Sequence, residues 1–237
     1  MKHLYLWMIL LILSSCHSEE DLTTQTSQTH QFSKSMAGYP ENKANAFDSA
    51  GKLHNELCLA YEMAPSPILS MGDAIDLTES LSLANASMVQ LTPGGFIPLS
   101  ESRLEFILAD SLQALQVIEQ STLSLKAKIS LANFLSVLEL YKSQEKQYAQ
   151  IYDFIVNYED SITQDLTFSS ADKQILFTTT SIARYAHHFA SLRKKKPPRD
   201  KDWDIKTASI LSGTDGSRQN TTAAIRMSVA ASLYVNR

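Results

Sequence analysis

With 237 residues, 44% of them hydrophobic, the chain is long enough to bury one sizeable core. A net charge of −4 excludes the strongly basic field that nucleic-acid binding needs. Seven glycines and seven prolines are too few for a turn-rich all-β chain, and two cysteines exclude a disulfide-dense scaffold.

The first element in chain order is a leader. Met1-Lys2-His3 is a positive tip, Leu4 to Leu13 is almost wholly apolar, and Ser14-Ser15-Cys16 follow. This layout predicts a secretory signal over residues 1–15. A membrane-spanning helix needs roughly 20 apolar residues, so the run is too short for one. Leu13-Ser14-Ser15-Cys16 resembles the lipobox of bacterial lipoproteins, where the Cys thiol takes a diacylglyceryl group and the peptide is cut just before it. The resemblance implies that Cys16 becomes the lipid-bearing first residue. It also implies a membrane partner held through acyl chains, each buried methylene contributing about 0.8 kcal/mol. Residue 17 is His, not the Asp that retains many such proteins in the inner membrane. Glu19-Glu20-Asp21 resembles the acidic export signal of surface-displayed lipoproteins. The implied address is therefore the outer membrane of the cell envelope, with surface exposure as its extension. Cys58 is then the one remaining thiol, expected as a buried apolar side chain.

Residues 16–40 hold Thr, Ser, Gln and acids with few apolar side chains, which predicts a lipidated, disordered tether. The domain proper is expected over residues 41–237. From Asn45 the apolar spacing turns helical: Phe47, Ala50, Leu53, His54, Leu57, Cys58 and Tyr61 share a face, and Pro65 and Pro67 end it. A weaker helical pattern runs from Ile68 to Val89. The third carries Leu104, Ile107, Leu108, Leu112, Leu115 and Ile118 behind a capping box read at Ser102-x-x-Glu105. A Leu-rich fourth spans Leu125 to Tyr141, and a fifth carries Tyr148, Ile151, Tyr152, Ile155 and Tyr158. The sixth begins near Ser170-Ala171-Asp172 and is closed by Arg193–Lys196 and Pro197-Pro198. The last covers Thr221 to Val235. No alternation of strand period persists, so the expectation is an all-α, single-domain bundle of six or seven helices.

The segment from Asn45 to Asn55 is the most distinctive. Phe47-Asp48, Gly51 and His54-Asn55 resemble the aromatic-Asp-x-x-Gly-x-x-His-Asn opening of a family of uncharacterised bacterial proteins, many of them lipoproteins. The resemblance implies a shared helical domain and no activity. Asp48, His54 and Asn55 form the candidate polar cluster. His54 lies within the apolar face with Cys58 four residues on, so it reads as a general base, a metal ligand, or a buried His bonded to a polar group of another helix. Gly51 sits where a missing side chain admits another helix.

His187-His188 point away from the apolar stripe of their helix and read as solvated or boundary residues. The basic run Arg193 to Lys201, followed by Asp200, Asp202 and Asp204, reads as a solvated hinge, with Trp203 anchoring the chain beyond it. Gly213-Thr214-Asp215-Gly216 reads as a bend before the last helix. No Gly-x-Ser-x-Gly, His-Glu-x-x-His, phosphate-loop or calcium-loop spacing occurs, so no catalytic residue, metal ligand or cofactor is assigned. Three functions are carried forward. The first is a binding or interaction module for a protein or glycan; the second is an envelope hydrolase using His54 with acidic partners. The third is a structural envelope component.

Overall fold

The computed structural model describes residues 40–109, 113–192 and 201–236, and every regular element among them is a helix. The expected leader, the lipid-bearing Cys16 and the tether lie outside the described residues, as does the basic run 193–200. In chain order the helices are α1 (Asp48–Met63), α2 (Met71–Ala84), α3 (Ala86–Leu91), α4 (Glu101–Ala109) and α5 (Gln113–Gln120). They continue with α6 (Leu125–Ser143), α7 (Tyr148–Gln164), α8 (Ser170–Leu192), α9 (Lys201–Gly216) and α10 (Thr221–Val235).

Seven helical segments read from the sequence correspond to nine of these ten helices, for identifiable reasons. The stretch from Ile68 to Val89 breaks at Asn85, whose extended backbone closes α2 while its side chain accepts from the Met88 N–H to cap α3. The third segment is two helices, α4 and α5, and its cap is Ser100, accepting from the Arg103 N–H at 3.2 Å, so the helix starts ahead of Ser102. The tenth is α9, which replaces the expected bend at Gly213–Gly216. Local signals hold elsewhere. Ser70 and Asp73 form a reciprocal capping box on α2, Ser169 and Asp172 do the same for α8, and Asn220 caps α10.

Helices α1, α8, α9 and α10 pack on one another, with α9 lying along α10 as a tight hairpin. Two apolar clusters flank them. One joins Leu53, Leu57, Met71, Met88, Leu104, Ile107 and Val229; the other joins Leu131, Phe134, Leu138, Ile155, Ile162 and Leu176. Helix α8 serves both, Ile182 in the first and Ala183 in the second. It is therefore buried on all sides from Ile175 to His187, and α10 likewise from Thr222 to Leu233. Each Leu, Ile or Phe so enclosed contributes roughly 1.5–3 kcal/mol. Among the described residues, no helix is long and apolar enough to cross a membrane.

Candidate functional site

A helix buried on all faces must satisfy every polar side chain it carries, and α8 carries Arg184 with no exposed surface. Its guanidinium reaches Asp48 in the first turn of α1, the carbonyl of Pro40, and Glu159 of α7, with Nε 3.1 Å from Glu159 Oε2. Glu159 is itself 1% exposed and accepts from Asn45 Nδ2 at 2.6 Å, Asn42 Nδ2 at 2.7 Å and Thr180 Oγ1 at 2.7 Å. Asp48 accepts from the Asn42 N–H at 3.2 Å and from the Tyr185 hydroxyl at 3.2 Å. Burial by itself lowers the Arg184 pKa, but the charges of Glu159 and Asp48 outweigh it and hold the guanidinium above its ordinary value. Burial and the neighbouring Asp48 raise the Tyr185 phenol. The group is a saturated ionic clasp, and its donors belong to the strap of residues 40–47 as much as to the helices.

Gly51 explains how the clasp closes. A Cβ there would stand 2.3 Å from the Ser181 carbonyl oxygen and 2.5 Å from Tyr185 Cδ2. The bare backbone lets α1 lie on α8, and the Gly51 N–H donates to Ser181 Oγ at 2.9 Å while that hydroxyl donates to the Asp48 carbonyl at 2.8 Å.

His54 belongs to a different site. It lies six residues beyond Asp48, about 9 Å along the helix axis, and faces α9 and α10. The ring is 1% exposed; Nε2 lies 3.3 Å from Ser232 Oγ and 3.7 Å from Cys58 Sγ, and Nδ1 is buried with no hydrogen-bond partner. Burial pushes its pKa down to about 4, so the imidazole is neutral at pH 7. Ser232 also contacts Ser209 and donates to the Ser228 carbonyl at 2.8 Å. A buried Ser–His pair without an acid on the second ring nitrogen lacks the orienting member of a hydrolytic triad. A cleft of about 320 Å³, counting the part open to solvent, lies beside it. His54, Cys58, Tyr61, Glu62, Phe189 and Asn236 are among its walls, and its interior has room for about one water. Asn236 Nδ2 donates to Glu62 Oε1 at 3.3 Å.

The expected cluster of Asp48, His54 and Asn55 is thus divided. Asp48 joins the clasp, His54 the cleft, and Asn55 is buried at the next position of α1, about 100° around the axis from His54. Two other expectations are corrected. His187 is 2% exposed, because α8 is enclosed on all sides as far as this residue. His188 next to it is half-buried, packed against Tyr148 with ring centroids 5.2 Å apart, its pKa lowered by burial. Asp215 is in the last turn of α9, 5% exposed, held by Arg103 at 2.6 Å and Arg218 at 3.3 Å, where a bend was expected. Packing against Arg103 of α4 makes helix out of residues with turn propensity.

Glu159, Arg184 and Asn45 are the residues that sequence reasoning missed. Their signal is a charge within an apolar stripe: Ile151, Ile155, Glu159 and Ile162 share one face of α7, and Arg184 interrupts the buried run of α8. Arg226 in the middle of α10 carries the same signal, bonding Glu79 and the Ile97 carbonyl beneath the Phe96 ring. Among the described residues, no group of three or more His, Cys, Asp or Glu is placed to hold a metal ion. Comparison with family models, curated proteins and solved structures finds no match to this chain.

Proposed function

We propose that the chain is a lipid-anchored module of the bacterial cell envelope, held at the outer membrane through Cys16, that binds a protein or glycan through its helical surface. One observation carries the binding reading. The side chains capable of chemistry are turned inward and spent on one another: Asp48, Glu159 and Arg184 in the clasp, His54 on the neutral Ser232. What remains for a partner is the outer surface, where Met63, Leu69 and Leu166 are 85%, 83% and 93% exposed. The leader residues Leu13-Ser14-Ser15-Cys16 supply the argument for the anchor. A hydrolase built on His54 needs an acidic partner for the ring, and the ring's partners are neutral.

Two measurements test the reading. Labelling cells with radioactive palmitate should mark the protein, and Cys16→Ser should remove the mark. A photo-crosslinking residue placed at Met63, Leu69 or Leu166 in intact cells should give a discrete adduct from at least one position. An unlabelled, unprocessed chain sinks the anchor, and no adduct from any exposed position sinks the binding module.

A further inference from the structure

Helix α6 is apolar on two opposite sides, and the fold covers one of them. Its inner side buries Ala127, Leu131, Phe134 and Leu138. At about 100° per residue, Leu125, Ile129, Ala132, Ser136 and Leu140 form one stripe turned away from that side. There Leu125 is 72% exposed, Ile129 54% and Leu140 50%. A helix apolar all round is one whose every side is covered. We propose that a second copy of this chain covers the outer stripe, α6 lying against α6 in antiparallel order.

The order of residues along the stripe suits its own reverse. A two-fold axis between Ala132 and Asn133 sets Leu125 of each chain against Leu140 of the other, and Ile129 against Ser136. Ala132 falls at the axis, where its short side chain lets the helices approach to roughly 8–10 Å. The charges repeat the pattern. Lys128 and Glu139 lie along one edge of the stripe. The axis brings Lys128 of each chain within about 3 Å, along the helix, of Glu139 of the other, and a lysine side chain spans that offset. Symmetry makes two such ion pairs. In the single chain Lys128 Nζ donates to the Glu119 carbonyl and Glu139 meets Lys142 at 3.6 Å, surface contacts that exchange readily.

Charges of both signs on one edge match an antiparallel copy and mismatch an anionic lipid surface, which Glu139 would oppose. Leu166 extends the apolar area at the Leu125 end. Its neighbours Asp165 and Thr167 both hold Lys126 Nζ at 2.6 Å, and Leu166 itself stands 93% exposed beside the stripe. One helix face per chain is at the low end of specific interfaces, so dissociation in roughly the micromolar range is expected. This dimer does not depend on the binding of a foreign partner. A cross-linked adduct from Leu166 at twice the chain's mass reports the dimer, and one of any other mass reports the partner.

The test uses cells expressing the full chain with one added thiol, Ala132→Cys at the axis or Asp160→Cys on the exposed side of α7, treated with a short bismaleimide. Ala132→Cys should give an adduct of twice the chain's mass, at least fivefold more of it than Asp160→Cys. Adding Ile129→Glu to the Ala132→Cys chain alters an exposed side chain, so the fold survives, and the adduct should fall at least fivefold. Lys128→Glu or Glu139→Lys alone should lower the yield at least threefold, and the two together should restore it. A yield at Ala132 no greater than at Asp160, the result if lipid or solvent covers the stripe, overturns the proposal. So does an adduct of another mass, which would place a foreign protein there. Undiminished cross-linking of the Ile129→Glu chain, or a double charge swap that restores nothing, overturns it as well.

Discussion

Arg184 and Asp48 meet across the interface of α8 and α1, the guanidinium fully buried and the carboxylate 15% exposed. With Glu159 they place two carboxylates against one guanidinium inside the protein. Asn42, Asn45, Thr180 and Tyr185 supply the remaining hydrogen bonds that make this arrangement tolerable. The Pro40 carbonyl accepts from the same guanidinium, so the strap entering the domain is tied to its most buried helix.

Arg184→Met should therefore be among the most damaging single substitutions. It leaves the Glu159 carboxyl enclosed and without its cation, a loss of about 3–5 kcal/mol for breaking a buried pair. Urea unfolding of the variant should show it. Arg184→Lys should recover little, because one ammonium cannot reproduce the fork that meets Pro40, Asp48 and Glu159 together. A lysine variant of parental stability would mean that the clasp acts through charge alone.

Arg226→Met tests how exposure scales such a loss. Its partner Glu79 is 41% exposed and rehydrates when stranded, so the expected cost is smaller, about 1–3 kcal/mol for the lost charge-assisted bonds. Its effect should be local, since Arg226 holds Phe96 and Ile97. Hydrogen exchange in residues 92–100 should accelerate more than exchange in α8.

Gly51→Ala should destabilise although alanine favours helices by about 1 kcal/mol over glycine. The new Cβ meets the Ser181 backbone carbonyl, which cannot step aside without parting α1 from α8; overpacking of this kind costs about 1–3 kcal/mol or more. Gly213→Ala meets the movable tip of Ile182, Cδ1 at 2.8 Å, and should be milder. Thermal unfolding of the two variants should rank them in that order.

His54 sets a dependence on acid. Its pKa is about 4 in the folded protein against 6.5 unfolded, so the unfolded chain binds the proton more readily. Stability from this residue is complete above pH 6.5, falls as pH drops toward 4, and changes no further below that. The integrated loss is roughly 3 kcal/mol at 1.36 kcal/mol per pKa unit. Urea unfolding at pH 7, 5.5 and 4.5 should show a steeper decline in the parent than in His54→Gln, which cannot titrate. Equal slopes would mean that the imidazole is not enclosed.

The strongest helices were legible because amphipathic spacing is a local property: α1, α6 and α7 carry apolar side chains every three or four residues whatever surrounds them. Cap residues at Ser70, Asn85 and Asn220 act within three residues and are equally local. Spacing fails for α9, which is enclosed all round from Ala208 to Gly216: buried small and polar side chains there, Ser209 to Asp215, leave no apolar stripe to read.

The candidate cluster shows the same division. Composition and periodicity establish an all-α chain, a short apolar run from Leu4 to Leu13 shortly before a cysteine, and an unusual Asp48–Gly51–His54 spacing on the first helix. They are silent on why that spacing exists, because hydrogen-bond partners of Asp48 and His54 lie well over a hundred residues downstream, at Arg184 and Ser232. Burial strips water from both side chains, and only the packing of distant helices determines which groups replace it.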